Sequence, residues 1–183
     1  GETESGILRF AVAGEDLDGL VLAMKPPSRL RGRLTLDGGS PGLPRLTNVV
    51  LRPAFSEDFG LLNPPMTVAD DGTFEMTEVT GTGMLRLYHA PAGLFLKAIL
   101  LDGTDVTNVP LAFSAYEGRR LEVQLTERPA GIAGTVSEDG RPSLDYVAIA
   151  YPEDPALWTP RTTRVAVARQ DPQGRFAIRG VPP

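Results

Sequence analysis

The sequence contains no cysteine, and this absence excludes disulfide bridges and thiolate metal sites. It contains one histidine, His89, so a Ser-His-Asp centre would have no other base to use. The nucleophile-elbow pattern Gly-x-Ser-x-Gly is absent. No apolar run approaches the roughly 18 residues that a membrane-spanning helix requires. We therefore predict a chain that is not an enzyme, binds no cofactor and does not insert into a membrane.

Basic residues are also fewer than acidic residues in this sequence. The formal net charge is −5, whereas a nucleic-acid partner normally calls for a basic face. The 183 residues are enough for one large or two small domains, and 42% of them are hydrophobic, as in an ordinary globular protein with a core. The 20 glycines and 17 prolines are spaced as in a chain of short strands joined by turns.

The most informative feature that is present is an internal repeat. Residues 30–38 (LRGRLTLDG) are echoed by residues 132–140 (IAGTVSEDG), and residues 71–79 are echoed by residues 173–181. The matched pairs, each 102 positions apart, are Gly32/Gly134, Asp37/Asp139, Gly38/Gly140, Gly72/Gly174, Phe74/Phe176 and Val79/Val181. A repeat of this kind indicates that one structural module occurs twice.

Apolar and polar residues alternate with a period of two, which is typical of strands with one buried face. Asp-Gly pairs such as Asp37-Gly38 and Asp139-Gly140 are typical of tight turns. No window holds a convincing helical period, although residues 155–158 could form one short helical turn. The predicted strands are 30–36, 121–126, 132–136 and 175–179, with further candidates at 7–13, 20–25, 47–52, 73–77, 84–89, 95–101, 109–114, 145–151 and 164–169.

The repeat also predicts the domain boundaries. Residues 27–127 form a complete β-sandwich module, and residues 128–183 form the N-terminal part of a second module. Residues 1–26 match the end of a module, because 10–26 align with 113–129 when small gaps are allowed. They are either the C-terminal strands of a preceding module or a segment that folds back and completes the last one.

The order and spacing of turn and strand motifs resemble those of the carboxypeptidase regulatory-like domain. The matching residues are Gly134-Thr135-Val136, Asp139-Gly140-Arg141-Pro142, Asp171 to Phe176, and Gly180-Val181-Pro182-Pro183. This resemblance implies an all-β chain of tandem prealbumin-like (transthyretin-like, Ig-like Greek-key) β-sandwiches, with about seven strands in each complete module. It also implies a parent that is a large bacterial protein, secreted, periplasmic or on the cell surface. Phe74 and Phe176, each after an Asp-x-x-Gly or Asp-Gly turn, are expected in the core.

The only tryptophan, Trp158, lies in the long 152–163 loop, and Tyr146 and Tyr151 lie close to it in sequence. Exposed aromatic side chains of this kind stack on sugar rings in many β-sandwiches, so these three residues are the candidate ligand-binding site. The alternative is that Trp158 plugs the end of the sandwich beneath its own loop. No metal site is predicted.

The sequence favours a non-catalytic structural or binding role within a larger protein. The partners are then other domains of the same parent, with polysaccharide or protein as an external ligand. Two alternatives stay open: a carbohydrate-binding module that uses the exposed aromatics, and an accessory domain of a peptidase.

Overall fold

The structure is a computed structural model that describes residues 10–38, 46–55, 66–158 and 164–181, together with residues 4, 6, 8 and 162. The chain is all-β: the described residues form strands and three short 3-10 turns, at Leu46–Asn48, Phe113–Tyr116 and Pro155–Leu157. The strands are β1 Ser28–Leu36, β2 Val50–Phe55, β3 Met66–Val68, β4 Thr73–Val79, β5 Thr82–His89, β6 Phe95–Leu101, β7 Thr104–Asp105, β8 Leu111–Ala112, β9 Leu121–Thr126, β10 Ala130–Thr135, β11 Ser137–Glu138, β12 Arg141–Pro142, β13 Val147–Ala150, β14 Ala166–Arg169 and β15 Arg175–Val181.

Residues 28–126, here called the first unit, contain two sheets. One has six strands in the order β3-β4-β1-β9-β6-β7, and the other has three in the order β2-β5-β8. β1 lies inside the larger sheet, antiparallel to β4 and parallel to β9. The two sheets share a single apolar core, which includes Leu30 and Val123 from the larger sheet and Leu51 and Leu85 from the smaller one. The first unit is therefore sandwich-like.

Residues 130–181, here called the second unit, form three two-stranded pairs: β10-β15, β13-β14 and β11-β12. The β10-β15 pair repeats the β1-β4 pair residue for residue. Gly32 lies opposite Phe74, and Gly134 lies opposite Phe176. The first bridge of each pair is offset by an irregularity at the same place, after Ser28 in one and after Ala130 in the other. The repeat seen in the sequence is thus a repeat of strand register.

A glycine–phenylalanine contact marks both pairs. A Cβ atom built on Gly32 would lie 2.6 Å from the Phe74 ring, and one built on Gly134 would lie 3.0 Å from the Phe176 ring. The ring of each phenylalanine therefore lies across the backbone of the opposite strand, where a larger residue would collide with it. The hairpin turn before each phenylalanine carries a glycine with positive φ, Gly72 and Gly174.

The two pairs differ sharply in burial. Leu30 and Leu34 of β1 are 0% and 1% exposed, whereas their counterparts Ile132 and Val136 are 45% and 38% exposed. Phe74 is buried as predicted, but the same prediction for Phe176 is wrong, because that ring is half-buried. The reason is that the second unit has no described counterpart of β5, β6 or β9 to cover this face.

Residues 10–26 are exposed throughout. The strands predicted at 7–13 and 20–25 do not form in the part of the chain that the structure describes, apart from an isolated bridge at Lys25; residues 7 and 9 lie outside it. A strand needs a hydrogen-bonded neighbour to be stable. The chain nevertheless doubles back on itself here, since a Cβ on Gly6 would lie 2.6 Å from the Ala23 carbonyl oxygen.

The strand predicted at 109–114 is also mostly wrong, since only Leu111–Ala112 pairs with β5. The chain then makes the 3-10 turn Phe113–Tyr116. Both aromatic residues are buried, and their spacing of three places them on one side of a three-residue turn. A continued strand would direct them to opposite faces, so burial of the two rings decides the local structure.

Candidate functional site

Two of the three predicted site residues come together. Tyr151 follows β13, and Trp158 follows the short turn Pro155–Leu157. Their ring centroids are 5.5 Å apart with an interplanar angle of 86°, an edge-to-face arrangement that aromatic pairs favour. Tyr151 is 62% exposed and Trp158 is 52% exposed. The hypothesis that Trp158 plugs the end of a sandwich is therefore wrong for the described structure.

The indole nitrogen of Trp158 is already used. Nε1 donates a hydrogen bond of 2.8 Å to the carbonyl oxygen of Pro152, and this bond fixes the ring against its own loop. Because the two rings are almost perpendicular, they do not form a flat two-ring platform. A flat ligand could stack on one ring face at a time, while the other ring would stand beside it as a wall.

The aromatic pair continues into an apolar strip on one face of the β13-β14 pair. Ile149 lies opposite Val167, and the strip as a whole, here called the aromatic strip, consists of the exposed residues Val147, Ile149, Tyr151, Trp158, Val165 and Val167. The opposite face of the same pair carries Ala148, Ala150, Ala166 and Ala168, which are all half-buried. The larger side chains thus face solvent and the small ones face the protein.

Sequence reasoning missed the aliphatic part of this strip. The signal was present in the alternation of Val147, Ile149 and Tyr151 with two alanines, but alternation alone does not reveal which face is covered. Arg169, which lies opposite Val147, borders the strip on the same face. An exposed apolar surface of this kind is a candidate interaction site.

The third predicted residue, Tyr146, lies in a different environment. Its ring packs edge-on against Phe176 with centroids 6.2 Å apart, and its hydroxyl donates a 2.9 Å hydrogen bond to the carbonyl oxygen of Gly174. These contacts hold the end of the β14-β15 connection against the start of β13. Tyr146 therefore has a packing role in the second unit, and no described contact joins it to Tyr151 or Trp158.

The one histidine, His89, lies in the first unit. His89 ends β5 and lines a shallow cleft of about 260 Å³ together with Tyr88, Phe95 and Gly180. Within the described ranges, no group of three or more His, Cys, Asp or Glu side chains is arranged to hold a metal ion. In the same ranges no helix is long and apolar enough to cross a membrane.

The perturbed carboxylates act within turns and strands. The Thr73 hydroxyl and amide both donate to Asp71 Oδ1 and lower the pKa of that carboxyl. The Arg175 amide likewise donates to Asp171 and lowers the pKa of Asp171. The two residues close matching hairpins, since Ala69 donates to Thr73 in one and Asp171 donates to Arg175 in the other through their backbones. The lowered pKa values of Asp71 and Asp171 thus follow from hydrogen bonds within their own hairpins.

One further charged cleft lies at the edge of the first unit, with a volume of about 340 Å³ and a lining of Asp102, Gly103, Arg120 and Glu122. Arg119 Nε lies 2.7 Å from Asp102 Oδ2, and hydrogen bonding from this guanidinium lowers the pKa of Asp102. The charges of this cleft are therefore already matched within the protein.

Comparison with known proteins gave no match: no family model, no curated protein and no solved structure corresponds to this sequence. The functional argument consequently rests on the chain itself.

Proposed function

We propose that this chain is a non-catalytic segment of a larger secreted or cell-envelope bacterial protein. In this proposal its modules are tandem prealbumin-like β-sandwiches that space, stiffen or dock the other parts of that protein. The observation that carries it is the repeated β1-β4 and β10-β15 register, with the same glycine–phenylalanine contact in each. A chain built from repeated modules is close to one-dimensional, because each module contacts only its neighbours, and this geometry suits a spacer.

A spacer must be long, so the place where the two units touch bears on the proposal. Gly180 of β15 lies against Phe95, the first residue of β6. Phe95 pairs with Thr126 at the end of β9, where the chain leaves the first unit. Among the described strands, none of the second unit packs along a strand of the first. This contact supports a junction close to the end of β9, as the spacer proposal requires.

Small-angle X-ray scattering tests this role. A compact sphere-like domain of 183 residues would have a radius of gyration of about 16 Å. The spacer proposal expects a clearly larger value and an elongated distance distribution for the monomer. A value near that of the compact domain would contradict it. A panel of chromogenic ester, peptide and glycoside substrates supplies the catalytic control: turnover that His89→Ala removes would contradict a non-catalytic role.

A carbohydrate-binding module is the second candidate, favoured by the exposure of Tyr151 and Trp158. Titration calorimetry with soluble xylan and mixed-linkage β-glucan tests it. Binding that Trp158→Ala abolishes would support this candidate, provided that Tyr88→Ala leaves it unchanged. Tyr88 is a suitable control because it is 59% exposed but stands in the first unit, against Arg52. Absence of heat with both polysaccharides would leave the spacer role as the better account.

A further inference from the structure

The sequence contains several Asp-Gly pairs, and one of them forms a turn of the second unit. An aspartate that is followed by glycine can isomerise, because the glycine has no side chain to keep its own amide nitrogen away from the aspartate carboxyl group. In a folded protein the reaction depends on how firmly the carboxyl group and the backbone are held. The pairs are Asp18-Gly19, Asp37-Gly38, Asp71-Gly72, Asp102-Gly103 and Asp139-Gly140.

Asp102 and Asp139 occupy the same kind of turn. Each is the first of two residues that join paired strands, β6 to β7 for Asp102 and β11 to β12 for Asp139. Both aspartates have a φ of 50°, and the glycines that follow, Gly103 and Gly140, have φ angles of 84° and 75°. Positive φ at both central residues is typical of a type I′ turn. Because the two turns match, a difference in reactivity must come from their surroundings.

Asp102 is held on both carboxylate oxygens. Arg119 Nε donates to Oδ2 at 2.7 Å, and the Arg120 amide donates to Oδ1 at 2.9 Å. The Asp102 amide donates in turn to the Arg120 carbonyl oxygen at 2.9 Å. Leu101, the residue before this turn, is buried in the core. These contacts tie the turn to the residues just before β9 and to the core of the first unit.

Asp139 is held much more loosely. Its carboxylate makes no hydrogen bond or ion pair with any residue that the structure describes, and a Cβ atom built on Gly140 would meet nothing within 4 Å. Two bridges join β11 to β12, and every residue of these strands is exposed. One of these residues is Pro142, which has no amide to donate. This hairpin should therefore open more often than the hairpin that contains Asp102.

The other Asp-Gly pairs provide references at both extremes. Asp37 Oδ2 lies 2.9 Å from Lys97 Nζ, and Asp71 Oδ1 accepts hydrogen bonds from the hydroxyl and the amide of Thr73. Both carboxylates are thus held, like that of Asp102. Asp18 lies in an exposed segment outside any strand and has no partner among the described residues, so it represents an unrestrained chain.

We propose that Asp139 of the folded protein isomerises spontaneously to isoaspartate, whereas the Asp-Gly pairs of the first unit are protected. When the turn opens, the Gly140 nitrogen attacks Cγ of the neutral carboxyl group, and a C–N bond forms. The C–O bond to the carboxyl hydroxyl breaks, and the hydroxyl leaves as water with the proton of the amide. Water then adds to the α-carbonyl carbon of the cyclic succinimide, and the bond from that carbon to the Gly140 nitrogen breaks. The main chain now runs through the Asp139 side chain, and the mass is unchanged.

Charge protects two carboxyl groups of the first unit further. The neutral acid reacts, because water leaves far more readily than an oxide ion would. Hydrogen bonds from Thr73 lower the pKa of Asp71, and those from Arg119 and Arg120 lower the pKa of Asp102. A lowered pKa leaves less of the neutral acid at neutral pH.

Isomerisation should change the hairpin itself. The isoaspartate product has one additional carbon atom in the main chain before the Gly140 nitrogen, whereas a two-residue type I′ turn fits its strands only with the ordinary backbone. The pairing of β11 with β12 is then lost in its present register. Since the two strands form a sheet of their own among the described strands, the loss is local. Asp139 thus acts as a slow, time-dependent switch of this hairpin.

Peptide mapping by mass spectrometry tests the proposal, because isoaspartate peptides differ in elution and in electron-transfer fragments at unchanged mass. The intact chain is incubated near neutral pH until isoaspartate is measurable at Asp18. A charge-assisted hydrogen bond must break at Asp102 but not at Asp139, so we expect isoaspartate to form about tenfold faster or more at Asp139. Equal rates at these two residues, or no isoaspartate at Asp139 when Asp18 has reacted, would overturn the proposal.

A variant and a denatured control show whether the fold causes the difference. Arg119→Ala removes the donor to Asp102 Oδ2, so the rate at Asp102 should rise severalfold while the rate at Asp139 stays the same. In guanidinium chloride the rates at Asp102 and Asp139 should become similar, because both turns are lost. An unchanged rate at Asp102 in the variant, or a difference that persists in the denatured chain, would contradict the proposal. Asp139→Glu confirms the assignment, since a glutamate would have to form a larger ring and the isoaspartate signal should disappear.

Discussion

The first and second units contain the same strand pair in two different surroundings. β1-β4 and β10-β15 share their register, their irregular first bridge and their glycine–phenylalanine contact. Leu30 is nevertheless fully buried, while its counterpart Ile132 is 45% exposed. The comparison teaches that pairing is specified locally, by the hairpin and the strand pattern, whereas burial depends on strands that come from elsewhere in the chain.

The largest expected difference concerns the two phenylalanines. Phe74→Ala should destabilise the first unit by about 3–5 kcal/mol, since it removes a buried ring from a packed core. Phe176→Ala should cost clearly less, on the order of 1–2 kcal/mol, because half-buried side chains gain less from burial. Denaturant unfolding followed by fluorescence and by circular dichroism measures both. Equal costs would show that the second unit has a complete core in solution.

Substitution of the glycine that lies opposite each phenylalanine should also destabilise the first unit more than the second. A Cβ atom on Gly32 would lie 2.6 Å from both the Phe74 ring and the Leu121 carbonyl oxygen of β9, whereas one on Gly134 meets only the Phe176 ring, at 3.0 Å. A half-buried ring can shift, but the backbone of an interior strand cannot. Gly32→Ala should therefore cost about 1–3 kcal/mol and Gly134→Ala less. Thermal unfolding of the two variants gives the comparison, which a larger effect at Gly134 would contradict.

Acid should weaken the hairpins of both units. The pKa values of Asp71 and Asp171 are lowered in the folded state. A lowered pKa contributes stability above the unfolded pKa, which is lost as the pH falls through the folded pKa. We expect stability to decrease between about pH 5 and pH 2, and Asp71→Asn and Asp171→Asn each to flatten part of this decrease. Urea titrations across this range measure it, and an unchanged pH profile in both variants would exclude these residues as its source.

The smallest expected effect is an increase in the stability of the first unit. Glu78 has a φ of 61°, and its counterpart 102 positions later is Gly180, with a φ of 73°. A left-handed conformation costs a non-glycine residue roughly 1–2 kcal/mol, and Glu78 is exposed. Glu78→Gly should therefore raise the free energy of unfolding of the first unit by about 0.5–1 kcal/mol after the entropic cost of glycine. Destabilisation in equilibrium unfolding would show that the Glu78 side chain makes a contact of greater value.

The sequence was sufficient for the all-β class, the repeat and the Asp-Gly turns, because these depend on alternation and on glycines with positive φ, such as Gly38 and Gly140. It did not predict which faces are covered. The same alternation describes Leu34, which is buried, and Val136, which is exposed. Non-local pairing decides that difference. It also decides residues 20–25, whose strand pattern forms only an isolated bridge at Lys25 in the described structure.

The candidate site was predicted in part for a similar reason. The sequence left two hypotheses open for Trp158, an exposed ring that binds a ligand and a ring that plugs the sandwich; in the structure Trp158 and Tyr151 form an exposed pair. Tyr146 is also aromatic and lies nearby in the sequence. Its hydroxyl, however, donates a hydrogen bond to the Gly174 carbonyl oxygen, 28 residues away. A contact of this kind depends on how the β14-β15 connection folds back on β13, which no local pattern reveals. The final motif residues Pro182 and Pro183 lie outside the described residues.

The most direct test of the central claim, that β10 repeats β1 but has a described neighbour at only one edge, is amide hydrogen exchange of the dilute monomer followed by NMR. In the first unit the amides of Gly32 and Arg33 should both exchange slowly, since they face β4 and β9. In the second unit the Gly134 amide, which faces β15, should be protected, whereas the Thr135 amide should exchange as fast as an open strand edge allows. Protection of Thr135 equal to that of Arg33 in the monomer would contradict the account.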